Sequence, residues 1–237
     1  MSRRRIRAIV WKELREFRRN RSVVVALAIF PLIFLIQPLV AVLISPIASA
    51  GELSAGHVLL YMLAIPVLTP AMLAGYAVAG ERQQGSLEPV LTTPIRREEF
   101  LLGKALAILG PSVATAYAVY AFFVACVAVL ADPDVAAAVL QAPDILAQVL
   151  FTPLLAAWSI WVGIAISTRS SDVRVAQQLS LLGSLPLVVV TSLIAFGAIH
   201  VTLGLAIGLA ALLVLADALG WRVVAPMFDR ERLITGR

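Results

Sequence analysis

The sequence predicts an all-α membrane protein: six transmembrane helices, an amphipathic interfacial helix ahead of them, and a short cytoplasmic helix in the loop between spans two and three. Three observations carry this prediction. Of the 237 residues, 61% are hydrophobic and only 14% charged, and the mean hydropathy is +0.95, which is too apolar for a soluble globule. Several apolar stretches reach the roughly 20 helical residues needed to cross a hydrocarbon core about 30 Å thick. The 19 lysines and arginines, finally, lie near the chain ends or in two short stretches between those runs. Barrel strands would alternate with period two, and no such alternation is present.

Residues 2–21 come first. Ile6, Val10, Leu14 and Phe17 recur at helical spacing, while Arg3, Arg4, Arg7, Lys12, Arg15, Arg18 and Arg19 fill the remaining faces, the pattern of a helix lying flat on an anionic leaflet. The spans then read as 22–45, 58–79, 105–131, 145–167, 179–196 and 201–219. Residues 179–219 form one apolar run about twice the length of a crossing. Arg169 and Arg174 precede that run and Arg222, Arg230, Arg232 and Arg237 follow it, so short basic loops can stay inside only if the chain turns, near residues 197–202. The same rule places both termini in the cytoplasm and leaves the outer loops with acids alone: Glu52, Asp132, Asp134 and Asp144. The basic excess is therefore a matter of topology, and nucleic acid is not an expected partner. Ala48, Ser49 and Ala50 have the form of a signal-peptide cleavage site, but the apolar run before them is too long for a signal.

No polar segment approaches the roughly 40 residues a soluble domain needs, so no catalytic domain is expected between the spans. The one cysteine, Cys126, rules out an internal disulfide or a cysteine-rich metal site and reads as a small packing residue. The most specific stretch is the loop 81–104, which reads as two short helices. Ser86 is placed to cap the first, with Pro89 in its opening turn. Thr93 is placed to cap the second, with Pro94 at its first position and Glu98 and Glu99 near its positive end. Leu87, Val90 and Leu91 are apolar on a loop facing water and need cover, either from a partner or from this chain's own helices.

Glu81-Arg82, Gly85-Ser86-Leu87-Glu88, Leu91-Thr92-Thr93-Pro94, Arg97, Glu99-Phe100-Leu101-Leu102-Gly103-Lys104 together resemble the loop after the second span in ATP-binding-cassette permeases of the type-2 (ABC-2) family. Lys12-Glu13-Leu14 with Arg18 and Arg21, Ala176-Gln177-Gln178 with Pro186, and the tail from Phe228 to Leu233 are similar to other parts of that family. The resemblance implies a single permease domain over 1–237 in the cell membrane. It implies pairing with a second permease copy or a paralogous permease, and with two separate ATPase subunits that bind ATP and Mg. No Gly-x-x-x-x-Gly-Lys-[Ser/Thr] motif occurs in this chain, which agrees. A Glu-Ala-Ala importer loop is also absent, so export is the expected direction. The resemblance further implies a coupling helix carried by Gly85, Ser86, Leu87, Glu88, Leu91, Thr92, Thr93 and Pro94. A substrate path would run beside spans two and five, where Thr69, Tyr76, Ser184, Thr191 and Ser192 are the polar residues.

Bland readings stand beside these. Membrane hydroxyls commonly bond their own backbone or a neighbouring helix. Asp217 is expected to reach headgroups or a nearby arginine, His57 and His200 to sit at the outer interface, and Gly204 with Gly208 to bring span six against another helix. Two rival functions are a non-transporting membrane anchor or assembly subunit and an intramembrane enzyme using Glu98 and Glu99. The second is disfavoured because both histidines fall at the opposite face.

Overall fold

The computed structural model describes residues 2–44, 57–86, 95–200 and 202–228. Among these the chain is helical, with no strand. The helices are α1 (Arg3–Arg19), α2 (Arg21–Ile44), a 3-10 segment (Val58–Ala64) running into α3 (Ile65–Gln83), α4 (Arg97–Leu130), α5 (Pro133–Val139), α6 (Ala142–Arg169), α7 (Val173–Ala195) and α8 (Leu203–Val224), closed by a 3-10 turn (Ala225–Phe228). Six helices have the length and apolarity to cross a membrane: Val23–Ile44, Val58–Gln83, Arg97–Leu130, Ala142–Arg169, Val173–Ala195 and Leu203–Met227.

The second span is the axis of the bundle. It is buried over most of its length, whereas the sixth span is almost wholly exposed, as expected of a helix whose outward face meets lipid rather than protein. α3 packs chiefly on α6 and α7, α8 leans on α6, and α1 lies against the start of α4. Polar side chains mark the seam between α3 and α6. Ser167 Oγ donates to the Gly75 carbonyl (2.7 Å) and accepts from the amides of Val78 and Ala79 (3.0 Å each). A hydroxyl from α6 thus sits inside the backbone ladder of α3, a known way to bend a helix.

The turn between spans five and six falls where charge parity requires it. α7 ends at Ala195, Gly197 takes a positive φ of 72°, and Thr202 Oγ1 caps α8 by accepting from the Leu205 amide at 3.2 Å.

The loop 81–104 departs from expectation on its described flanks. The third span begins at Arg97, with Glu99 accepting from the amide of Arg96 at the N-cap position, and runs unbroken for 34 residues, so the second loop helix is the first turns of the span itself. Glu98 and Glu99 do fall in its first turn, where carboxylates offset the positive helix end. At roughly 1.5 Å per residue such a helix outruns the hydrocarbon core and projects beyond it. Leu87, Glu88, Leu91, Thr92, Thr93 and Pro94, with most of the predicted coupling helix, lie outside the described residues. The short α5 is unpredicted. It tucks Val135 and Val139 against the ends of the second and third spans.

Candidate functional site at the basic end of the bundle

The helices that flank residues 87–94 are tied together. Lys104, in the second turn of α4, is fully buried. Its Nζ donates to the Ala77 carbonyl (2.8 Å) and to Glu13 Oε1 (3.1 Å), lies 3.1 Å from Glu81 Oε2 in an ionic contact, and sits 5.0 Å from the centre of the Phe100 ring. Glu81 lies in the last turn of α3 and Lys104 in the second turn of α4, so this contact joins the two helices that flank residues 87–94. Glu13 brings α1 into the same cluster. Lys12 Nζ completes it, 3.1 Å from Glu13 Oε1, 3.5 Å from Glu16 Oε2 and in contact with Glu81 Oε1.

Charge governs the protonation of these groups. Burial alone would raise the Glu13 carboxyl, but the ammoniums of Lys104 and Lys12 hold it below the ordinary carboxylate range. Burial alone would lower Lys12, but Glu13 and Glu81 hold it above the ordinary lysine range. Glu13, Glu16 and Glu81 converge as three carboxylates can around a metal ion, yet Lys12 Nζ already occupies the space between them. The cluster is an ion-pair network, with one more carboxylate than ammonium.

A second set of contacts fixes the N-terminal turn of α1 to the start of α4. Glu99 Oε1 accepts from the Ser2 amide (2.6 Å), and Glu99 Oε2 accepts from Arg5 Nη1 (3.4 Å) and from the Arg96 amide (3.3 Å). Gly103 makes the close approach possible, because a Cβ there would lie 2.6 Å from Ile9 Cγ2. The face of α1 turned inward is therefore Ile9, Glu13 and Phe17, about one position away from the expected Ile6, Val10, Leu14 and Phe17 stripe. The apolar count misplaced it because its centre is a carboxylate that only a buried lysine makes tolerable.

The second span is tied to the fourth beside the cluster. Arg82 donates to the Ser170 carbonyl (2.6 Å) and the Thr168 carbonyl (3.0 Å), closing the end of α6. Gly85 and Ser86 terminate α3. The amides of Gly85 and Ser86 donate to the carbonyls of Arg82 (3.2 Å) and Glu81 (3.0 Å), a Schellman pairing that puts Gly85 at φ 66°, a conformation glycine adopts without strain.

The predicted path residues are dispersed. Thr69 and Ser184 are buried within the chain, their hydroxyls without a hydrogen-bond partner among the described residues, and Thr191 bonds the Val188 carbonyl of its own helix at 3.0 Å. Ser192 is half-buried. Tyr76 belongs to the basic end, its hydroxyl donating to Glu16 (3.4 Å) and accepting from Gln84. At the opposite end His57 Nδ1 lies 2.9 Å from Asp144 Oδ1, while His200 is exposed. Asp217, expected to reach headgroups or arginine, instead has a buried Oδ1 without a hydrogen-bond partner among the described residues. Among the described residues, nothing from another element lies within 4 Å of where a Cβ on Gly204 or Gly208 would be.

Residues 7–215 match the family described as ABC-2 family transporter protein, a stretch that contains every residue of the ion cluster and nearly all of the six spans. The chain belongs to this family. No curated protein matches it. As an ABC-2 protein it is a multi-pass membrane component of a transporter, and the signal that sequence reasoning missed in it was the set Glu13, Glu81 and Lys104. Glu81 and Lys104 are charges set near the ends of apolar helices and Glu13 faces inward from α1, where an unpaired ion would be costly, so the three charges imply one another.

Proposed function

We propose that this chain is the permease subunit of an ABC exporter. It forms the substrate pathway with a second permease copy or a paralogous permease, and it is driven by two separate ATPase subunits that bind ATP and Mg. The termini and the 87–94 loop face the cytoplasm of a cell whose surface membrane holds the six spans, and α1 lies along the inner interface. The loop carries a coupling helix in which Leu87 and Leu91 supply an apolar face for the ATPase and Glu88 meets a basic residue there.

The observation that supports this reading is the 3.1 Å contact between Lys104 and Glu81. A loop whose flanking helices are joined to each other and to α1 transmits a push to spans two and three as one body. A loose loop would absorb the motion. Breaking the network should therefore separate ATP hydrolysis from transport, with both subunits still associated.

The test begins with gentle solubilisation from the native host. A separate ATPase should accompany the chain, Leu87→Asp and Glu88→Lys should release it while leaving the permease in the membrane, and liposomes holding the pair should hydrolyse ATP. A native complex without an ATPase, or transport that persists without ATP, would sink the proposal. An ATPase that binds in the absence of any ATP-driven flux would point instead to an anchoring subunit.

A further inference from the structure

At the end of the bundle away from the ion cluster, a cleft of about 180 Å³ opens among the 3-10 segment before α3, the first half of α6, the last half of α7 and the first half of α8. We infer that this cleft is a binding site for one acyl chain of a membrane phospholipid, held between α7 and α8.

Leu63, Phe151, Leu155, Leu187, Ile194 and Leu209 form its walls. The one polar side chain in the lining, Thr191, has its hydroxyl engaged with its own helix. Water inside would find no hydrogen-bond partners, so the cleft stays dry or takes an apolar guest.

The identity of the guest follows from where the cleft lies. α7 and α8 are adjacent in sequence yet barely touch, each leaning instead on inner helices, so the cleft faces the surrounding medium through the gap between them. Leu193, Leu212 and Ile207 continue its lining out onto the exposed faces of these helices. In a span that medium is the bilayer, and an acyl chain fills such a gap from the side. The hydrogen-bonded pair of Asp144 and His57 lies three positions before Ala147 on α6 and Leu60 in the 3-10 segment, outside the cleft itself.

The inference is independent of the proposed ATPase coupling and of membrane orientation, since it concerns only chain retention. The full-length chain, with any subunits that accompany it, would be stripped of annular lipid in detergent, exposed to dioleoylphosphatidylcholine, and examined by native mass spectrometry. One phospholipid per chain should be retained. Ala206→Phe and Leu209→Trp, which fill the cleft, should weaken retention by about tenfold or more, the effect of excluding a few buried methylenes. Ile36→Phe on the exposed face of α2 should leave retention unchanged.

A second measurement stands if the filling variants fail to fold. The added fluorescence of Phe151→Trp should be quenched saturably by phospholipid brominated on its chains. No retained lipid, equal retention in the filled variants, or quenching that never saturates would overturn the inference. Loss of the lipid during ATP turnover would also overturn its assignment as a resident lipid, and would make it cargo.

Discussion

Lys104 enters the bundle with its side chain wholly shielded from solvent, so its charge depends on Glu13 and Glu81. Removing one partner leaves the others uncompensated, which typically costs about 3–5 kcal/mol, whereas replacing a buried ionic set with apolar groups of similar size can be neutral. Lys104→Met should therefore lower the thermal midpoint of the purified protein markedly. Adding Glu13→Leu and Glu81→Met should recover much of that loss. Equal midpoints for the wild type and the single variant would mean that the cluster is not maintained in the membrane.

The pH dependence follows from the same groups. Glu13 is held below its unfolded value, so its contribution is present above the ordinary carboxylate range and lost as pH falls through the depressed value. Lys12 is held above its unfolded value, so its contribution is present below the ordinary lysine range and lost only as pH rises through the elevated value. Attachment of α1 should thus be flat from about pH 6 to 9 and weaken below about pH 4, near and under the ordinary carboxylate pKa. Protease protection of the N-terminal segment would measure this, and a transition near neutrality would contradict it.

Among the elements, α1 is the one whose place could change most cheaply. It is held by Ile9, Glu13 and Phe17 on one side and by the Glu99 contacts with Ser2 and Arg5 at its start, while Trp11 on the opposite side is exposed. Gly103→Val would drive a side chain into Ile9 and lift the helix from α4. Protease protection of the N-terminal segment should be high in the parent and fall with Gly103→Val. ATPase activity with lowered transport in that variant would fit a role for α1 in transmission, whereas unchanged protection would show that the close approach is not needed.

For the whole molecule, the expected orientation rests on acids at one end and bases at the other. In the 132–144 stretch Val135 is on the buried face of α5, so Asp134, exposed on the same turn, serves as the reporter. Asp134→Cys should react with a membrane-impermeant thiol reagent in intact cells, and Ser171→Cys, between α6 and α7, should not. The reverse result would invert the topology, and reaction of both would break the six-span count.

Six spans, their order and the turn between the last two were legible in the chain because each depends on local quantities: the apolar length of a segment and the charge at its ends. So was the family, carried by the residues from Glu81 to Lys104. The inward face of α1, the continuity of the third span, the partner of Tyr76 and the position of Asp217 were not. Each is decided by which helices lie side by side, and the chain holds that information only as pairs far apart in sequence. Glu13 and Lys104 are 91 residues apart, and either alone reads as a charge for solvent. Hydropathy determines that a helix enters lipid, but only packing determines what its polar residues meet there, because in a medium without water every buried charge must find its counterpart in another helix.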